Sequence, residues 1–353
     1  MYKTKVENLK QLDIVLSSKN VSEIILSRDS FAEHDLPKLV DKIKKTGKFA
    51  WILLERISRY EENMKPVGAN ACGEYRKGEL CEPTDLRTST DEIFKIKNLD
   101  GIIIQNLDSF AYMLRKINKA SNENLLVELN YTMNCYNIES KILYDRMYNE
   151  KRNNASEVPL RFTAPLELNT YELSDVGYDT MILYSYIDTM VTANCLRKNI
   201  TGVNSKSVGA KHREPAFAGA NARRVHRRGE LCEPVCKNRF NFNKVQDFSS
   251  YIIDRKGKKL YYKTYCKYCY NKIFNTEPLF LLDKIDEIKK QALVADAKTV
   301  GATHREPEIV GTKHSEPAFR IDFSIENEKQ VKDILAMKCP ESFTRGHYKS
   351  SIK

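Results

Sequence analysis

The stretch Arg320–Leu335, RIDFSIENEKQVKDIL, reads as a strand followed at once by a helix. Arg320–Phe323 is a short run that suits a strand, and Ile325–Met337 keeps Val331, Ile334 and Leu335 on one face at helical spacing. Working back toward the amino terminus, β-branched and aromatic runs of the same kind recur at Lys3–Glu7, Glu23–Ser27, Phe49–Glu55, Gly101–Gln105, Leu125–Asn130, Arg161–Ala164 and Thr180–Tyr186. Amphipathic stretches separate them. Leu36, Leu39, Val40 and Ile43 share a helical face, as do Phe110, Met113, Leu114 and Ile117. Strands that alternate with helices predict a parallel sheet. Eight such strands, the last followed by a helix, predict an α/β fold of the (β/α)8 TIM-like barrel type.

The 353 residues are 41% hydrophobic and 30% charged, a balance that excludes collagen-like, disordered and disulfide-scaffold classes. The opening MYKTKVENLKQLD is charged where a secretory leader is apolar, and no run approaches the ~18 apolar residues of a membrane span. A cytoplasmic protein with no membrane partner is expected. In that compartment the nine cysteines read as thiols or metal ligands rather than disulfides. The net charge of +11 permits an anionic partner without naming one.

Self-comparison finds GELCEP at Gly78–Pro83 and again at Gly229–Pro234, and VGATHREP from Val300 echoes VGAKHREP from Val208. The copies carry no apolar face with which to stack and are unevenly spaced, so they read as insertions, about 65–84, 206–234 and 297–318, in one barrel domain spanning 1–353. Setting them aside leaves a body of barrel size, ~250 residues or somewhat more. Cys72, Cys81 and Cys232 belong to the inserts. Cys135 and Cys339 read as core or incidental thiols. The arginine-rich RRVHRR of the middle insert reads as solvated loop, or as a phosphate-contacting arm.

After the seventh strand the alternation breaks into a cysteine-bearing excursion, about 195–283, which includes a hairpin, YIIDRKGKKLYY, turning at Lys256–Gly257. Cys266 and Cys269 form a C-x2-C pair, whose tight turn can aim two sulfurs at one ion. Cys195 lies just beyond the seventh strand, and Cys236 resumes the body after the middle insert. Four thiolates suit tetrahedral zinc or an iron-sulfur cluster, while buried structural thiols are the alternative.

Around these residues the chain resembles the collagenase-like peptidases of family U-32. TAPLELNTYEL (Thr163–Leu173), YSYIDTMVTANCLRKN (Tyr184–Asn199), CKYCYNKIFNTEPLFLLD (Cys266–Asp283), RIDFSIENEKQVKDIL (Arg320–Leu335) and FTRGHYK (Phe343–Lys349) are similar to the carboxy-terminal barrel region of long clostridial-type members. Those members carry a preceding barrel region that is missing here, and the inserts are not part of the family pattern. The resemblance implies either peptidase activity of unknown mechanism or, from other relatives, a four-cysteine 4Fe-4S cluster that takes part in hydroxylating RNA bases or a quinone precursor. It makes Cys195, Cys236, Cys266 and Cys269 the expected cluster ligands, with zinc as the alternative.

Polar residues at the carboxy ends of barrel strands face the mouth, where chemistry is done. Glu55 and Arg56, Gln105 and Asn106, Glu128 and Asn130, Glu167 and Asn169, and Tyr186 with Asp188 all fall there. Glu167 and Tyr186 lie within the best-matched segments and are expected to be catalytic, together with Arg345 and His347 of the donor-rich tail that ends at Lys349. A triad protease needs a base beside its nucleophile, but the body outside the inserts offers just His34 and His347, and no HExxH zinc site occurs. An iron-sulfur barrel enzyme that assists hydroxylation of an RNA base is therefore the first expectation. A collagenase-like peptidase acting on proteins is the second, and a non-catalytic half needing a partner barrel the third.

Overall fold

The computed structural model describes residues 1–57, 92–119, 124–152, 158–192, 247–265, 267–268, 270–290 and 317–348. All eight expected strands form, each within a few residues of its predicted bounds. They are β1 (Tyr2–Val6), β2 (Val21–Ser27), β3 (Phe49–Leu53), β4 (Gly101–Ile104), β5 (Leu126–Leu129), β6 (Leu160–Phe162), β7 (Thr180–Ser185) and, after five further strands, β13 (Ala318–Asp322). The five are β8 (Asp188–Thr192), β9 (Asp247–Ile253), β10 (Lys259–Tyr265), β11 (Tyr270–Phe274) and the two-residue β12 (Leu279–Phe280).

The main sheet has the order β12-β7-β13-β1-β2-β3-β4-β5-β6 and is parallel except for β12. It is a mixed α/β architecture with the parallel sheet curled into a half-barrel. Beyond the ladders, Thr163 makes an isolated parallel bridge to Thr180, Ala164 N donates to Thr180 O at 2.8 Å, and Asp179 N donates to Phe162 O at 3.0 Å. The third predicted insert runs into β13, where Ala318 N donates to Asp179 O at 2.8 Å. The other two lie outside the described residues.

Helices α1 (Leu9–Ser17), α2 (Leu36–Lys44), α3 (Leu107–Lys116), α4 (Ile138–Lys151), α5 (Thr170–Val176) and α6 (Glu328–Leu335) follow the strands. Five open on an asparagine cap, Asn8, Asn106, Asn137, Asn169 and Asn327, whose side chain accepts from a first-turn N–H. No described helix is long and apolar enough to cross a membrane.

Side-chain alternation along the strands separates two layers. Ile24, Ile52, Ile102 and Val127 join the helices in the main core, while Ile25, Trp51, Leu53 and Ile103 form a small second cluster on the other face. Gly101 belongs to that face. A Cβ there would lie 2.3 Å from a Trp51 ring carbon, so only glycine lets the indole pack across β4.

The excursion forms a separate antiparallel sheet, order β8-β11-β10-β9. The predicted hairpin is its β9–β10 pair, and Gly257 takes the positive φ of +77° that its turn requires. The strands β8 and β11 were not among the expected elements.

Candidate functional site

At the carboxy end of β1 stands Glu7, and after β2 come Arg28, Asp29 and Ser30; all four are buried. Glu55 and Gln105, beyond β3 and β4, are buried as well. The antiparallel sheet packs against Glu7, Asp29 and Ser30. Lys263 and Tyr265 alternate on one face of β10, and in register across from them stand Lys272 and Tyr270 of β11.

Glu7 is the hub. Its Oε2 accepts from Lys263 Nζ at 2.7 Å, Tyr265 Oη at 2.8 Å and Ser30 Oγ at 3.3 Å, and its Oε1 from Lys5 Nζ at 2.9 Å. Burial by itself would raise its pKa, but Lys263, Lys5 and Lys272 outweigh that and hold the carboxyl well below the usual carboxylate range. A second group centres on Arg28, whose Nη1 donates to Glu55 at 2.8 Å and whose Nε donates to Glu33 at 2.9 Å. Lys267 Nζ joins it 2.7 Å from Glu33 and donates to the carbonyls of Arg28 and Phe31 at 2.8 and 2.9 Å.

Asp29 differs from both. Its Oδ2 accepts from Tyr270 Oη at 2.5 Å, but its buried Oδ1 has no hydrogen-bond partner among the described residues. Burial pushes its pKa up to about 6, against the opposing pull of Lys272 and Tyr270. A carboxyl held there can take up or release a proton near neutral pH, which is what general acid–base work requires.

Beneath this mouth a second network fills the curl of the sheet. Lys3 Nζ lies 2.6 Å from Glu128 and 3.1 Å from the Trp51 ring centroid, and Thr163 Oγ1 donates to Glu128 Oε1 at 2.6 Å. Arg320 grips Asp322 through two bonds of 2.6 and 2.9 Å and reaches Asn130 Oδ1 at 3.0 Å. Asn130 in turn donates to Gln105 at 3.3 Å. Among the strand-end residues expected from sequence, Glu55, Gln105, Glu128 and Asn130 thus enter connected networks. Asn106 and Asn169 cap helices, and Asp188 accepts from the Tyr131 hydroxyl. Arg56 donates to Gln105 O at 2.9 Å.

Among the four expected catalytic residues no hydrogen bond or ion pair joins any two, although Arg345 and His347 share a cavity. Glu167 accepts from the Tyr136 hydroxyl. Tyr186 meets Tyr261 edge-on at 6.0 Å, and burial first, then Glu326 and Tyr261, push its pKa up to about 12. Arg345 binds both carboxylate oxygens of Asp283 and stacks on Phe343 at 4.5 Å. With His347 it lines a cavity of about 30 Å³, the size of a water rather than a substrate. A wider groove of about 850 Å³ runs between Asn8, Gln11, Lys38 and Glu326 and reaches Ser30 at the edge of the Glu7 cluster.

Cys195, Cys236, Cys266 and Cys269 lie outside the described residues, as do Cys72, Cys81, Cys232 and Lys349. Cys135 is buried and Cys339 exposed, both free thiols. Among the described residues no group of three or more His, Cys, Asp or Glu could hold a metal ion. Sequence reasoning missed Glu7, Arg28 and Asp29 as site residues, although Glu7 ends a predicted strand. Their significance comes from the lysines and tyrosines of β10 and β11, which bear no motif.

The fold and this buried charge cluster define an α/β protein with a capped sheet mouth. Among solved structures the chain is similar to the U32 peptidase Mk0906, with 14% identity, a TM-score of 0.34, and coverage of 53% of this chain and 70% of that one. A likeness of that size carries no argument about activity. No protein-family model matches the chain, and no curated protein matches it.

Proposed function

We propose that the chain is a U-32-type barrel enzyme whose parallel sheet closes between β6 and β7 through the Thr163–Thr180 bridge. In this reading Cys195, Cys236, Cys266 and Cys269 hold a 4Fe-4S cluster beside the mouth, and the enzyme assists hydroxylation of a base in RNA. The observation that carries it is where four strands of the antiparallel sheet end. Asn271 pairs with Thr192, Tyr265 with Asp247 and Tyr265 with Tyr270, so one end of that sheet gathers the end of β8, the start of β9, the end of β10 and the start of β11. Cys266 and Cys269 are bonded neighbours of Tyr265 and Tyr270, and Cys195 follows Thr192 by three residues, a reach of at most ~11 Å. Cys236 lies eleven residues before Asp247. The donor set fits a cluster, which takes thiolate ligands.

A bound cluster would supply one-electron transfer. The chain's own groups would do the rest: Asp29 holds or releases a proton, Glu7 keeps Lys5 and Lys263 in place, and the cap excludes water. Anaerobic reconstitution followed by absorbance, iron and sulfide analysis tests the reading. Serine at any of the four cysteines should cost iron, whereas serine at Cys72, Cys81 or Cys232 should not. Stoichiometric zinc in place of iron would remove the hydroxylase reading and leave a structural metal site. Peptidase action on proteins is the alternative, tested by cleavage of casein or gelatin with the pure protein. RNA is the expected partner in the first reading, a peptide in the second.

A further inference from the structure

Helix α4 departs from the pattern of its neighbours. Helices α2 and α6 turn one apolar face to the core and expose no large apolar side chain, whereas on α4 Ile138, Ile142, Leu143 and Met147 are each more than a third exposed, Leu143 by 54%. The inward side of α4 is already packed. Tyr148 is buried, Tyr144 meets Phe110 edge-on at 5.3 Å, and Lys141 Nζ donates to Gly177 O at 2.8 Å. A single exposed leucine is ordinary, but a helix that is apolar on both sides, with one side packed, has a second surface to bury.

The order of residues on that outer surface indicates what it fits. Glu139 and Arg146 are seven residues apart, about two turns, so they lie on one ridge; at ~10 Å along the axis they are too distant to pair with each other. Neither has an ion-pair partner among the described residues. Ile138 and Ile142 flank the ridge on one side, Leu143 and Met147 on the other. About a point midway between Ile142 and Leu143 the pattern reads alike in both directions. Ile138 mirrors Met147, Ile142 mirrors Leu143, and acidic Glu139 mirrors basic Arg146. A twofold axis through that point, perpendicular to the helix, lays a second α4 antiparallel on the first. Glu139 of each copy then stands opposite Arg146 of the other, and near the axis Ile142 meets Ile142 and Leu143 meets Leu143. A parallel pairing would instead set Glu139 against Glu139.

We propose that the outer face of α4 is a contact between two copies of this chain, paired antiparallel about a twofold axis between Ile142 and Leu143. A second copy is the occupant because the ridge is complementary in charge to itself, and only in the antiparallel sense. A helix of 14 residues is ~21 Å long, so α4 alone supplies less than the ~800 Å² per partner of a standard stable interface. The dimer is therefore reversible and dissociates on dilution. It does not depend on the function proposed above.

Sedimentation velocity of the full chain across the micromolar range tests the contact. The unaltered protein should pass from monomer to dimer as concentration rises. Leu143→Glu places two carboxylates beside the axis and should weaken the dimer about tenfold or more. Glu139→Arg and Arg146→Glu should each weaken self-association severalfold, yet an equimolar mixture of the two variants should recover a dimer, because one ridge then carries two cations and the other two anions. Lys42→Ala, on an exposed pair of α2, should change nothing. A chain that stays monomeric throughout overturns the proposal and leaves the face to another segment or a different protein. A dimer indifferent to Leu143→Glu overturns it as well, since the contact then lies elsewhere. A mixture that fails to associate overturns the antiparallel pairing. The charge variants alter exposed side chains, so the mixing experiment decides the matter even if Leu143→Glu does not fold.

Discussion

Lys263 on β10 sets its Nζ 2.7 Å from Oε2 of Glu7, which stands 256 residues earlier in the chain. Neither side chain has appreciable contact with water, and Lys5 and Tyr265 complete the shell of Glu7. Removing one partner of such a group leaves the others buried and uncompensated. Glu7→Gln is therefore expected to lower global stability by about 3 kcal/mol, measured by urea unfolding at neutral pH. Adding Lys263→Met should recover part of that loss, because the second substitution removes the stranded charge.

Asp29 predicts the opposite sign. Its folded pKa of about 6 exceeds the 3.8 of a free aspartate, so the folded state binds the proton more tightly than the unfolded chain. Stability from this group is fully present below about pH 4 and is lost as pH rises through about 6, a total of roughly 3 kcal/mol for a shift of this size. Asp29→Asn should be more stable than the parent at pH 7, with the gap closing toward pH 4. Parallel urea titrations across that range check it, and a constant gap would refute it.

Gly101→Ala should be costly despite its single methyl group. The new carbon would lie 2.3–2.8 Å from three atoms of the Trp51 ring, and that ring is held under Lys3. Overpacking of this kind costs about 1–3 kcal/mol, read as a fall in the midpoint of thermal or urea unfolding. Trp51→Leu in the same chain should relieve part of the clash.

Deleting the first repeated stretch, 65–84, should leave stability within about 1 kcal/mol, the scale of ordinary surface changes. The third deletion has to stop at Glu316. Removing Ala318 would take the first residue of β13 and its bond to Asp179 O, and differential scanning calorimetry of deletions ending at 316 and 318 should separate the two.

The sequence by itself determined the eight strands of the parallel sheet and the helices over Leu36–Lys44, Leu107–Lys116 and Glu328–Leu335, because burial of a parallel strand or of one helix face writes its period directly into the residue order. RIDFSIENEKQVKDIL announces β13 and α6 without any distant partner. Asparagine caps are equally local, since Asn327 and Gln330 satisfy each other's N–H groups within one turn. The hairpin turn at Gly257 was legible for the same reason. Tertiary structure alone decided which polar residues meet. Glu7 and Lys263, or Asp29 and Tyr270, are joined by docking two sheets, and the energy of an ion pair depends on separation in space and on burial, neither of which is encoded in spacing along the chain. Strand-end position picked out Glu55, Gln105, Glu128 and Asn130 because a parallel sheet puts all its carboxy ends on one side. It could not reveal that lysines and tyrosines from β10 and β11 would meet Glu7 and Asp29, since those strands carry no motif and gain their meaning from the face they cover.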